Sequence, residues 1–177
     1  VYMSEQVHSE LRAYSDAPAL FSPHPLFENF GERVERSEAC VRLGLDPANR
    51  YVLFFGLIRD YKGLDLLLDA WAQLRRAGRT EGRRLIVAGE FYTAREPYLN
   101  RIADNGLQDE VLLHDRFIPD DDVKYYFSAA DFVVQPYKTA TQSGVTQIAY
   151  QFCVPMVVTA VGGLPEIVPD GRVGYVC

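Results

Sequence analysis

Cysteine is scarce in this chain and does not pair off: Cys40, Cys153 and Cys177 are odd in number and widely spaced. That excludes a disulfide framework and offers no metal-ligand spacing. Cys153 lies in the apolar run Phe152-Cys153-Val154, which predicts a buried thiol. Cations are also in short supply, with 18 Lys and Arg against 24 Asp and Glu and a formal net charge of -6. A domain whose main partner is a long polyanion carries the opposite sign, so DNA or RNA binding is disfavoured as the general function. A small anion needs only one or two cations and a few backbone N–H groups, and stays possible. No apolar run approaches the roughly 18 residues of a membrane span, and the N-terminus carries no basic-then-apolar leader. These absences predict a reducing, cytosolic setting, with peripheral association at the inner membrane left open for a full-length parent.

What is present is an ordinary globular composition, 48% apolar and 24% charged over 177 residues, enough for one domain with a real core. From Tyr51 onward, short β-branched or apolar runs alternate with amphipathic stretches, the pattern of β-α units on a parallel sheet. Strands are expected at Tyr51–Phe55, Arg84–Ala88, Val111–His114, Phe132–Gln135, Met156–Thr159 and Gly174–Val176. Leu64, Leu67, Leu68, Trp71 and Leu74 fall at helical spacing and are read as core, with Ala77-Gly78 as the stop. Pro97–Asn105 reads as a second helix, and a third opens at Pro119. Asp120, Asp121 and Asp122 look like a metal cluster but are better placed to cap that helix and face its dipole. The expected fold class is α/β, a Rossmann-like doubly wound parallel sheet.

Residues 1–49 differ in kind. A helical start at Ser4–Tyr14 gives way to Pro18, Pro23 and Pro25 among aromatics, then to a short charged helix ending at Gly44. This stretch is expected to be a linker or crossover segment from a preceding domain. Residues 50–177 are expected to be a Rossmann-like domain that stops partway, both ends suggesting a piece of a larger protein.

In an open α/β sheet, ligands sit beyond the carboxyl ends of the strands, so the loops there carry the chemistry. After the first strand comes Gly56-Leu57-Ile58-Arg59-Asp60-Tyr61-Lys62-Gly63. Gly56 permits a tight turn, and Arg59 and Lys62 stand where a diphosphate would approach a helix N-terminus. The plain alternative is a turn with two solvated cations, since neither a Walker loop nor G-x-G-x-x-G is present. After the fourth strand, Thr141-Gln142-Ser143-Gly144-Val145 leads into another helix, where small residues would expose first-turn N–H groups to a phosphate. Capping by the Ser143 hydroxyl competes with that reading, and spacing alone does not separate the two. After the fifth strand, Gly162-Gly163-Leu164-Pro165-Glu166 puts a carboxylate at a helix start, which its own helix dipole is enough to explain.

Taken in order, Phe54-Phe55-Gly56, Lys62-Gly63 with Leu66-Leu67, Ala88-Gly89-Glu90, Ala130-Asp131 and Pro155-Met156-Val157-Val158-Thr159 followed by Gly162-Gly163 and Pro165-Glu166 carry a family resemblance. Together they resemble the C-terminal, donor-binding half of a retaining GT-B glycosyltransferase of glycosyltransferase family 4, the glycosyl transferases group 1. The resemblance runs from about Ser22 to Cys177, because His24-Pro25-Leu26-Phe27 is similar to the segment that joins the two halves.

The resemblance implies a sugar transferred with retention from a nucleotide-diphosphate sugar to an acceptor glycan or glycolipid, the acceptor bound by an N-terminal domain absent here. It implies no bound cofactor or metal ion, and a role in polysaccharide biosynthesis. Lys62 matches the lysine that pairs with the donor diphosphate. Leu57 stands where an arginine usually follows the glycine, so the second cation role passes to Arg59. Gln142, Ser143, Gly144 and Val145 match the diphosphate loop, and Arg116, Phe117 and Ile118 match the place where the base rests, with a surface ion pair as the other reading of Arg116. The chain departs from the family at its paired glutamates: Ile148 or Ala149 occupies the second position, and the first falls near Ala140 or Thr141. Gln142 or Gln147 would then serve as neutral partners for ribose or sugar hydroxyls. A GT-B epimerase or hydrolase, or a non-catalytic degenerate domain, are the alternatives, and the isolated fragment is expected to lack turnover.

Overall fold

The short apolar runs form six parallel strands in one sheet, described here for Val1–Cys177 in a computed structural model. The strands are β1 (Arg50–Phe55), β2 (Arg83–Ala88), β3 (Val111–His114), β4 (Phe132–Gln135), β5 (Met156–Val158) and β6 (Gly174–Val176), ordered β3-β2-β1-β4-β5-β6. β1 and β2 begin one residue before their apolar runs because Arg50 pairs with Arg83 across the ladder. Backbone pairing is indifferent to an outward-facing charge. β5 ends before Thr159, whose hydroxyl already turns to the Tyr137 carbonyl at 2.6 Å.

Both faces of the sheet are covered, which is why the strands read as continuous apolar runs rather than alternating ones. The period-2 geometry of β1 divides its side chains: Tyr51, Leu53 and Phe55 enter one core cluster, Val52 and Phe54 the other. The second cluster lies under α3 (Leu64–Arg76) and α4 (Glu96–Asp104). The first lies under α2 (Arg36–Leu43), α5 (Asp120–Ala129) and α6 (Gly144–Gln151) and takes in Ala39, Cys40 and Leu45. Two more α-helices, α1 (Glu5–Arg12) and the single turn α7 (Leu164–Ile167), and two 3-10 turns, Glu28–Phe30 and Asp60–Lys62, complete the chain.

Three local expectations are corrected. Leu74 is 41% exposed; at about 100° per residue it has rotated off the stripe of Leu64, Leu67, Leu68 and Trp71, and Ala72 fills the core position. Cys153 is exposed, because the turn from α6 into β5 holds it at φ 53, in the left-handed region, and turns its side chain outward. The buried thiol is Cys40. No side chain caps α5, so Asp120–Asp122 occupy its first turn, favourable to the dipole but not caps, and Asp122 pairs with Arg42 at 3.1 Å. They belong to no group of His, Cys, Asp or Glu arranged to hold a metal ion. No helix is long and apolar enough to cross a membrane.

Candidate functional site

The strand order reverses between β1 and β4, so the crevice of a doubly wound sheet opens beyond their carboxyl ends. The β1–α3 and β4–α6 loops meet there. Gly63 makes the approach possible: at φ 68 it turns the chain, and a Cβ on it would lie 1.9 Å from the Pro136 carbonyl oxygen. Below that contact Lys62 folds back over β1, where a Cβ on Gly56 would lie 3.0 Å from its Nζ and 3.5 Å from Val145 Cγ2. Gly56, Lys62 and Val145 are thus gathered at one point.

Lys62 is 8% exposed and forms no ion pair. Burial pushes its pKa down to about 8, and the nearest charge that matters, Arg59, has the same sign and lowers it further. The Nζ stands 5.7 Å from the centroid of the Tyr137 ring, a polarisable floor that cannot neutralise it. Arg59 is exposed and its guanidinium lies 5.1 Å over the Tyr92 ring, at the rim of the same crevice. Lys138, a third cation on the adjoining loop, is occupied by Asp60 at 2.9 Å and Asp65 at 3.0 Å.

Opposite Lys62 the N-terminus of α6 is open. Ser143 occupies the N-cap position but makes no capping bond; its Oγ lies 3.2 Å from the buried Tyr137 hydroxyl. The capping account of Ser143 is therefore set aside. The N–H groups of Gly144 and Val145 have no acceptor in the chain, as the first turn of an uncapped helix requires. Buried Gln135 ties this end of α6 to β4, its Oε1 accepting from Thr146 Oγ1 at 3.2 Å.

Beside Gly56 a cavity of about 180 Å³ opens between the carboxyl ends of β1 and β2 and the stretch entering α5, lined by Phe30, Phe55, Leu57, Glu90, Phe117 and Ile118. Phe117 and Ile118 of the expected base region are there. Arg116 and Gln147 are not: Arg116 is exposed and lies beside the Tyr126 phenol, not in an ion pair. Gln147 is 6% exposed on α6. His114, half-buried at the end of β3, bonds Tyr126 Oη through Nδ1 at 2.8 Å and supports this wall. Burial and Arg116 push its pKa down, keeping it neutral near pH 7. Ile148 packs into the core at 6% exposed and Ala149 is fully buried, so neither glutamate position faces a ligand with a polar group.

Sequence reasoning missed Tyr137, Tyr92 and Gln135. An aromatic or amide near a loop has no distinguishing signal in one sequence; the Tyr137-Lys138 pair just after a strand end was the only available pointer.

A family model described as Glycosyl transferases group 1 matches residues 49–177. The lipopolysaccharide core biosynthesis mannosyltransferase LpsB of Rhizobium meliloti is 32% identical over 172 residues, 90% of this chain and 45% of that protein. A D-inositol 3-phosphate glycosyltransferase of Segniliparus rotundus is 36% identical over 140 residues, 77% of this chain and 30% of that protein. Among solved structures, sucrose-phosphate synthase from Thermosynechococcus elongatus matches with a TM-score of 0.84 and 23% identity over 99% of this chain and 44% of that one. Anabaena HepE in complex with UDP-glucose matches with a TM-score of 0.79 and 21% identity over 99% of this chain and 48% of that one. The chain spans less than half the length of each of these proteins.

Proposed function

Because the chain belongs to the glycosyl transferases group 1 family, we propose that it is the donor-binding part of a family 4 glycosyltransferase, which moves a sugar from a nucleotide-diphosphate sugar to an acceptor with retention. The observation that carries this is Lys62: a buried ammonium without a counter-ion, facing the unsatisfied first-turn N–H groups of α6 across the switch-point crevice. Cation and open helix end are both complementary to a diphosphate. The cavity beside Gly56 then takes the base, in continuity with the diphosphate.

Transfer requires the nucleoside diphosphate to leave with its developing charge stabilised. Fixed donors in a partly dry crevice do this without reorganisation when the bond breaks. Lys62, the Gly144 and Val145 N–H groups and, from the rim, Arg59 supply that stabilisation from the chain itself, with no resident metal needed. Gln147 is the remaining polar side chain on the buried part of α6 for a ribose or sugar hydroxyl, in place of the glutamates. The acceptor glycan or glycolipid falls to an N-terminal domain outside this chain. The apolar Ile148 and Ala149 favour a second reading, a domain that has lost donor binding.

The two are separated by titrating the chain with UDP, GDP and ADP while following backbone amide shifts, with and without magnesium. Shifts at Gly56–Gly63 and Gln142–Val145 with one nucleotide, lost in Lys62→Met, are expected. No shift with any of the three overturns the donor reading in favour of the second.

A further inference from the structure

The start of helix α1 is held down by side chains of the two loops beside the crevice. Ser4, just before α1, is fully buried, and its Oγ accepts from the Val7 N–H at 3.4 Å. The Glu166 carboxylate accepts from the backbone N–H of Glu5 at 2.8 Å and of Gln6 at 3.2 Å. Those are first-turn donors that a helix cannot satisfy itself, and a carboxylate complements the dipole there. Glu166 was expected to serve its own helix; α7 is a single turn, and the side chain reaches instead to a helix far away in sequence.

The neighbouring loop completes the contact. Gln142 donates through Nε2 to the Met3 carbonyl, while its Oε1 is buried without a partner, so the amide is fixed by that single bond. The Gly163 N–H donates to the Thr141 carbonyl at 3.1 Å. A Cβ on Gly163 would lie 2.7 Å from that oxygen and 2.8 Å from Ser4 Cβ. Three chain segments therefore meet with no room for one more methyl group: the entry to α1, the stretch just before Ser143-Gly144, and the stretch leading to Glu166.

We propose that Glu166 is a positioning residue: by seating the start of α1 against Thr141 and Gln142, it holds the diphosphate loop in its binding arrangement, so that α1 docking and nucleoside-diphosphate binding favour one another. This rests on the donor reading given above. If α1 is undocked for part of the time, only the docked fraction binds well, and the apparent dissociation constant rises by the inverse of that fraction. Linkage makes the effect reciprocal, so a bound nucleotide must also protect the α1 contact.

The test is amide hydrogen exchange on the 177-residue chain, with Kd values for UDP, GDP and ADP measured alongside. In Glu166→Ala, exchange of the Glu5 and Gln6 amides is expected to rise about tenfold and nucleotide affinity to fall by roughly threefold to tenfold, while Val52–Phe54 stay protected, reporting an intact sheet. Glu166→Gln keeps one acceptor oxygen and should recover part of both effects. Gly163→Ala, which wedges Ser4 away with Glu166 intact, should move both readouts in the same direction. Unchanged exchange at Glu5 and Gln6 in Glu166→Ala overturns the docking role. Faster exchange with unchanged affinity, or a nucleotide that binds without protecting these amides in the parent chain, overturns the coupling. If none of the three nucleotides binds the parent chain, the donor reading fails and the coupling with it, and exchange in the ligand-free chain still decides the docking.

Discussion

The two ends of strands β1 and β4 treat charge in opposite ways. At the amino ends, Asp131 is saturated: it accepts from Arg50 at 2.8 Å and from the Tyr51 N–H at 2.7 Å, with Arg36 at 3.6 Å. At the carboxyl ends, Lys62 is buried more deeply, 8% exposed, with no anion beside it. Burying a charge is costly unless it is paired, so folding alone gives no reason to keep Lys62. The saturated end serves the fold, and the unsaturated end keeps a buried cation that the fold leaves unpaired, the feature on which the proposed diphosphate site rests.

The sharpest way to break this contrast is Lys62→Met. Removing the ammonium should weaken nucleoside-diphosphate binding about 100-fold, ~3 kcal/mol, read by titration calorimetry. The same change should raise the melting temperature of the ligand-free chain. The fall in pKa from 10.5 to about 8 corresponds to a penalty on the order of 3 kcal/mol against the charged form, which methionine does not carry. A variant that gains stability while losing the ligand marks a functional charge. A melting temperature that falls would mean Lys62 has a structural partner after all.

Asp131→Ala should do the reverse. It strands Arg50 and the Tyr51 N–H and is expected to cost about 2 kcal/mol of stability in denaturant unfolding, with nucleotide affinity unchanged. Loss of affinity at constant stability would mean the ends of the strands are not independent.

Much of this arrangement is legible in the sequence, and the rest is not for physical reasons. Buried parallel strands advertise themselves as apolar runs, so all six were found within a residue of their ends. The Lys62-Gly63 pair is readable because Gly63 is needed for the loop to approach Pro136. The aromatic floor of Tyr137, the Ser143 hydroxyl turned away from its cap, and Glu166 at the start of α1 depend on where distant segments come to rest. Local periodicity carries no record of such contacts. Cys153 failed for a related reason: an apolar neighbourhood in sequence does not reveal a left-handed turn.

A pH series sharpens the same contrast with a smaller effect. The free-state pKa of Lys62 lies below that of an unfolded lysine, so between about 8 and 10.5 the unfolded chain binds more protons and stability of the ligand-free chain rises with pH. The proposed diphosphate binding needs the protonated form, so the Lys62 contribution should lose roughly half of the affinity by pH 8 and about tenfold by pH 9, with proton uptake on binding there. The decline should vanish in Lys62→Met. A decline that persists in that variant would place the titrating group elsewhere.

The smallest expected effect belongs to Lys138, which stands one loop away from Lys62 and has the same formal charge. Asp60 and Asp65 hold it at 2.9 Å and 3.0 Å, and their carboxylates raise its pKa, the opposite of what burial does to Lys62. Its side chain is 31% exposed, so solvent screens both pairs. Lys138→Met should therefore change stability by no more than about 1 kcal/mol and leave nucleotide affinity within twofold. A large loss of affinity in this variant would mean that a diphosphate draws Lys138 away from its carboxylates. The anion would then be shared by two lysines, and the single unpaired charge would no longer distinguish the carboxyl end of the sheet.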